Sequence, residues 1–148
     1  MKDNYKIEVL RKEFLVDHVQ EFIYIASDIP KESWGIENYT YELPEKWNLS
    51  LIIRDLKSQI LIGFIIASDK GTYYHIHKYA VHPDFRSSEI GYRLLEYFEQ
   101  SICKLEKHST IGLFVDSGNE GAIRFYSRNG FKFKLLTDGM SFYEKLIK

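Results

Sequence analysis

Lys78-Tyr79-Ala80-Val81-His82-Pro83-Asp84-Phe85-Arg86-Ser87-Ser88-Glu89-Ile90-Gly91-Tyr92-Arg93-Leu94-Leu95 reads as the end of a strand, a short basic loop and the opening of an amphipathic helix. The first N–H groups of a helix have no intrahelical partners, and the macrodipole adds partial positive charge there. Arg86 sets a full charge beside them. The order therefore predicts an anion site that suits a pyrophosphate.

Downstream, Ile90, Leu94, Leu95, Phe98, Ile102 and Leu105 recur at helical spacing, with Glu96, Glu99, Gln100 and Lys104 on the other face. Upstream, residues 49–55, 59–68 and 72–82 are rich in Ile, Leu, Tyr and Phe. Leu56-Lys57-Ser58 and Asp69-Lys70-Gly71 separate them, which predicts a three-stranded antiparallel meander. Residues 31–48 show no sustained period and read as loop with room for a short helix. A first helix is predicted from an Asp17 cap through Val19, Phe22, Ile23 and Ala26, stopped by Ser27-Asp28-Ile29-Pro30. Before it, residues 5–10 alternate as a strand.

Past the long helix, residues 110–115 form a short predicted strand. The next helix opens near Ser117-Gly118-Asn119-Glu120, where Ser-x-x-Glu has capping-box spacing, and closes at Asn129-Gly130. Residues 131–136 and 140–147 follow as a hairpin through Asp138-Gly139.

Composition narrows the function. With 148 residues and 45% hydrophobic content, the chain is expected to form one domain over 1–148. Twenty basic and 21 acidic residues leave a net charge of -1, so no global field holds nucleic acid or an anionic membrane. The N-terminal residues lack the apolar core of a signal peptide, and no run approaches the roughly 20 apolar residues of a membrane span. A cytoplasmic location is expected. Cys103 is the single cysteine, so it forms no internal disulfide; its place on a long helix predicts a buried or half-buried thiol rather than a covalent carrier of a reacting group. His18, His82 and His108 lack zinc-ligand spacing, and no metal is expected.

Two blocks carry a family resemblance. Ala80-Val81-His82-Pro83-Asp84-Phe85-Arg86 leading to Ile90-Gly91 resembles A-V-x-P-x-[FY]-R followed by x-x-G-x-G/A. Asn119-Glu120-Gly121-Ala122-Ile123-Arg124-Phe125-Tyr126-Ser127-Arg128-Asn129-Gly130-Phe131 resembles N-x-x-A-x-x-x-Y-x-x-x-G-F. Both are patterns of the GNAT superfamily of N-acetyltransferases, and the order of predicted elements is similar over nearly the whole chain. The resemblance implies an α+β (mixed α/β) fold. Its central, mostly antiparallel twisted sheet has about six or seven strands flanked by helices, and the fourth and fifth strands are splayed.

It further implies acetyl-CoA as cosubstrate. Tyr79, Ala80 and Val81 would meet the pantetheine arm, and Arg86, Ser87, Ser88, Glu89, Ile90 and Gly91 the pyrophosphate, with Tyr92 behind them. Asn119 would hold the cofactor from the later helix, and Tyr126 would project toward its sulfur. Glu89 departs from the pattern, standing where the family usually has its first Gly. It either repels the pyrophosphate or turns outward in the first turn of the helix, where carboxylates favour the dipole; the outward reading is preferred.

The implied reaction moves an acetyl group to a primary amine. At a pKa of about 10.4 such an amine is protonated at neutral pH, and removing the proton costs on the order of 4 kcal/mol. His75, His77 and Tyr79 alternate along the predicted fourth strand and are expected on one face, where a histidine of ordinary pKa suits that task. His75-Ile76-His77 before Ala80-Val81-His82 also resembles the H-x-H feature of arylalkylamine N-acetyltransferases. The two histidines are either a proton relay or sheet residues satisfied by neighbours. Tyr126 is expected to protonate the leaving thiolate, with the Val81 amide steadying the oxyanion. Trp34, Tyr39, Tyr41 and Trp47 either line the acceptor pocket or cover the core.

A second reading is an acyl-CoA sensor or partner-binding module without turnover, for which Glu89 is the support. A nucleotide-binding protein is disfavoured because no Walker-type Gly-Lys-Ser/Thr occurs. Exposed strand edges leave a homodimer open.

Overall fold

Seven segments of alternating or continuously apolar sequence pair into one sheet: β1 (Tyr5–Val9), β2 (Leu51–Asp55), β3 (Leu61–Asp69), β4 (Tyr74–Val81), β5 (Thr110–Asp116), β6 (Lys132–Thr137) and β7 (Met140–Leu146). Their order is β1-β2-β3-β4-β5-β7-β6. Every neighbouring pair is antiparallel except β4 with β5. The computed structural model describes residues 4–27, 32–86 and 89–147.

Helices cover both faces. On one, α4 (Ile90–Cys103) and α5 (Glu120–Arg128) pack Leu94, Leu95, Phe98 and Tyr126 against Ile65, Ala67 and Ile76. On the other, α1 (Lys12–Ile25) and α2 (Ile36–Thr40) pack Leu15, Phe22 and Tyr39 against Ile52, Phe64 and Ile66. Between these layers β3 is buried at every position, which explains its unbroken apolar run.

Three sequence expectations are corrected. The first helix begins at Lys12, not Asp17, and bends at His18 (φ −125°, ψ 20°), whose Nδ1 lies 2.9 Å from the Phe14 carbonyl. The run beyond Asp17 is thus the second half of a helix. Its expected stop extends into residues outside those described. The segment read over 31–48 as loop with room for a short helix holds two, α2 and α3 (Lys46–Leu49), the second ending one residue beyond it. The cap of α5 is Asn119, whose Oδ1 accepts from the Ala122 amide at 3.2 Å, because the Ser117 hydroxyl donates to the Gly139 carbonyl instead. The predicted hairpin turn is present, with Asp138 and Gly139 both at positive φ, as a two-residue type I′ connection requires.

One local feature governs the site. Ile66 of β3 faces Lys78, but Ala67 faces Ile76, so His77 is an extra residue in β4, a bulge. Alternation resets across it. Tyr74, Ile76, Tyr79 and Val81 all pack on the α4 and α5 side, whereas Ala80 packs with the α1 layer. The expectation that His75, His77 and Tyr79 share a face is therefore wrong: the histidines lie on the face opposite Tyr79.

Candidate active site

Pairing between β4 and β5 is limited to Tyr74, His75 and Ile76 against Ile111, Gly112 and Leu113. Beyond them the strands part, leaving residues 77–81 and 114–116 on either side of a cleft of about 1290 Å³. Parallel strands that diverge leave main-chain edges exposed, and an extended ligand can pair with such edges. Gly112 lets the seam close at its paired end, since a Cβ there would stand 2.5 Å from Phe142 Cζ and 2.7 Å from Tyr73 Cε2.

At the anion end, Gly91 and Tyr92 in the first turn of α4 line the cleft, while Ile90 is buried in the core. Tyr79 donates its phenol to the Gly91 carbonyl, locking the strand to the helix start. Arg86 Nε donates to the Val81 carbonyl at 2.7 Å and its Nη2 to the Ile25 carbonyl at 3.0 Å. The guanidinium thus ties the loop to β4 and α1 while lining the cleft. Glu89 is exposed, absent from the lining, and 3.4 Å from Arg93 Nε. The outward reading of Glu89 matches this geometry. Ser87 and Ser88 lie outside the described residues.

From the α5 side, Asn119 lines the cleft while its Oδ1 caps the helix. Tyr126 is buried, with its ring centroid 6.1 Å from that of Tyr79. Burial, and secondarily the charge of Glu32, raise its pKa above the usual tyrosine value, so the phenol keeps its proton across neutral pH.

His75 and His77 line the same cleft from the opposite face of β4, their rings 4.5 Å apart. His77 Nε2 lies 2.7 Å from Ser68 Oγ and His75 Nδ1 3.2 Å from Tyr73 Oη. Burial, then the positive neighbourhood, pushes His75 down to about 3 and His77 down to about 4. Both are neutral at pH 7, not poised near it.

The aromatic segment divides. Tyr39 is core; Trp34 lines the cleft, and Trp34, Tyr41 and His77 also line a small side pocket of about 250 Å³. Trp47 packs against the α1-side core. Cys103 is exposed, contrary to the buried or half-buried thiol expected. Sequence reading missed Glu32 and Lys78 as cleft residues. Glu32 sits in the aperiodic segment, where nothing distinguishes one carboxylate from another.

The chain matches the model of the acetyltransferase (GNAT) family over residues 19–131. No protein of curated function matches it by sequence. Among solved structures it is similar to the ribosomal-protein-S18-alanine N-acetyltransferase of Escherichia coli (TM-score 0.78, 19% identity, covering 97% of this chain and 94% of that one). It is also similar to PaiA N-acetyltransferase of Thermoplasma acidophilum in complex with coenzyme A (0.75, 20%, 97% and 99%). Arabidopsis thaliana Naa50 with the bisubstrate analogue CoA-Ac-MVNAL is a third (0.72, 16%, 97% and 99%). At these identities the likeness carries the fold, while the family match covers most of the sequence, including both motif blocks: the chain belongs to the acetyltransferase (GNAT) family.

Proposed function

We propose that the protein transfers an acetyl group from acetyl-CoA to a primary amine by direct attack, without a covalent enzyme intermediate. The observation that carries this reading is the parting of β4 and β5 after three pairs, with a helix N-terminus and a buried phenol facing the gap. Acetyl-CoA supplies an activated thioester; the protein supplies place and proton control.

The residues present suit that cosubstrate. The open edges of β4 and β5 offer main-chain partners to an extended arm beside Tyr79 and Val81. The start of α4 at Gly91 and Tyr92, with Arg86 nearby, suits a pyrophosphate. Tyr126, protonated at neutral pH as a phenol ordinarily is and lining the gap beside Tyr79, is placed to give its proton to a leaving thiolate. His75 and His77, neutral and hydrogen-bonded, suit passing a proton along water rather than storing it. Glu89, paired with Arg93 away from the cleft, no longer favours a binding module without turnover.

Thermal shift with acetyl-CoA, CoA and ATP, followed by thiol release across an amine panel, tests this. At a hundred times its dissociation constant, acetyl-CoA should add about 2.7 kcal/mol of stability. Tyr126→Phe should keep that shift and lose about 10²-fold or more in kcat. Binding without thiol release on any amine would make the protein a sensor.

A further inference from the structure

Glu32 holds the only carboxylate among the described residues lining the cleft, whose charged side chains are otherwise Lys78, Arg86 and Arg128. It is half-buried and held from both sides of the seam. Lys78 of β4 donates its ammonium to the Glu32 carbonyl, and the Asp116 amide of β5 donates to Glu32 Oε2 at 2.9 Å. That amide lies where β5 has parted from β4, so the carboxylate satisfies a main-chain donor left over by the splay. Oε1 makes no hydrogen bond to a described residue. The charge of Glu32 is felt at the Tyr126 phenol, so carboxylate and phenol act on one space.

An alkylamine with a pKa of about 10.4 reaches the cleft as a cation. Among the described lining residues no side chain other than Glu32 offers it a negative charge, and His75 and His77, being neutral, offer none. We propose that the Glu32 carboxylate binds the ammonium group of the acceptor and selects cationic primary amines over acceptors that are neutral at pH 7. The assignment rests on acetyl transfer to an amine being the reaction. Fixing Oε2 on a backbone amide holds the charge in place before the acceptor arrives. In a half-buried cleft, attraction between unlike charges exceeds its value in water.

Steady-state kinetics of Glu32→Gln with two acceptors test it: an alkylamine protonated at pH 7 and an aryl amine neutral at that pH. Gln keeps the shape and an oxygen for the Asp116 amide while removing the charge. KM for the alkylamine should rise about tenfold or more, with KM for acetyl-CoA and for the aryl amine within about twofold of wild type. An equal rise for both acceptors would overturn the proposal, leaving Glu32 as a tie between segments. Glu32→Asp, which keeps the charge, should retain the preference for the alkylamine even if either variant melts at a lower temperature; loss of that preference counts against the proposal. If wild type acetylates neither acceptor, the underlying reaction fails. If it acetylates the alkylamine with a KM indifferent to Glu32→Gln, the Glu32 assignment alone fails.

Discussion

A neutral, buried histidine is a different reagent from one in water. His75 and His77 titrate at about 3 and about 4 because burial penalises their charged forms, and Lys70 adds to the penalty in both. Their native proton affinity lies below the unfolded value of about 6.5, so the unfolded chain binds protons first as pH falls. The stability they contribute is complete above that pH and declines from there toward pH 4 for His77 and pH 3 for His75. Catalytically, the wild-type kcat/KM profile should show no inflection near pH 6.5. An inflection there that vanishes in His77→Gln would mean that His77 titrates as an exposed imidazole does. The sequence placed both histidines on β4, but their acidity comes from burial, for His75 against Tyr73, Phe114 and Phe142, side chains from the turn before β4, from β5 and from β7. No local pattern encodes that.

At the scale of the element, β4 carries both faces of the site, and a single inserted residue divides them. Alternation in His75 through Val81 looks regular in the sequence because a bulge is defined by the partner strand: it shows only when Ile66 is matched to Lys78 and Ala67 to Ile76. Period-two reading located the strand and assigned the wrong face to half of it. Elsewhere the legible features were those with local causes: the α4 stripe, the Asp138-Gly139 turn, and Gly130 at φ 94° where α5 closes. The segment around α2 and α3 was illegible because it is fixed by distant contacts, such as Tyr39 packed against Phe22 and Phe64 and the Asp69 amide donating to the Pro44 carbonyl. Gly112, facing His75 from β5, is the seam's other fixed point. Gly112→Ala drives a methyl group into Phe142 and Tyr73, which should cost about 1 to 3 kcal/mol in chemical denaturation and weaken the β4–β5 seam. A variant as stable as wild type would show that the rings yield freely.

For the whole molecule, one carboxylate clasps the end opposite the cleft. Asp69, closing β3, accepts the Lys107 ammonium at 2.8 Å, the Gly71 amide at 2.8 Å, and His108 Nε2 at 2.8 Å, joining the β3–β4 turn to the connection between α4 and β5. These partners, Lys107 foremost, hold its carboxyl well below the usual range. The stabilisation is therefore full above the unfolded value of about 3.9 and is lost as pH falls through the native one. Asp69→Asn should cost about 2 kcal/mol in urea unfolding at pH 7, with the difference shrinking at pH 3. A pH-independent difference would point to lost packing rather than lost charge. At the other end, the bulge at His77 has a consequence for the cleft. Because it turns Tyr79 and Val81 toward one face of the sheet and the histidines toward the other, the gap between β4 and β5 is walled by side chains of both faces. A group held beside Tyr79 and another held beside His77 would then face one gap from opposite walls, so that a change to either wall need not disturb the other.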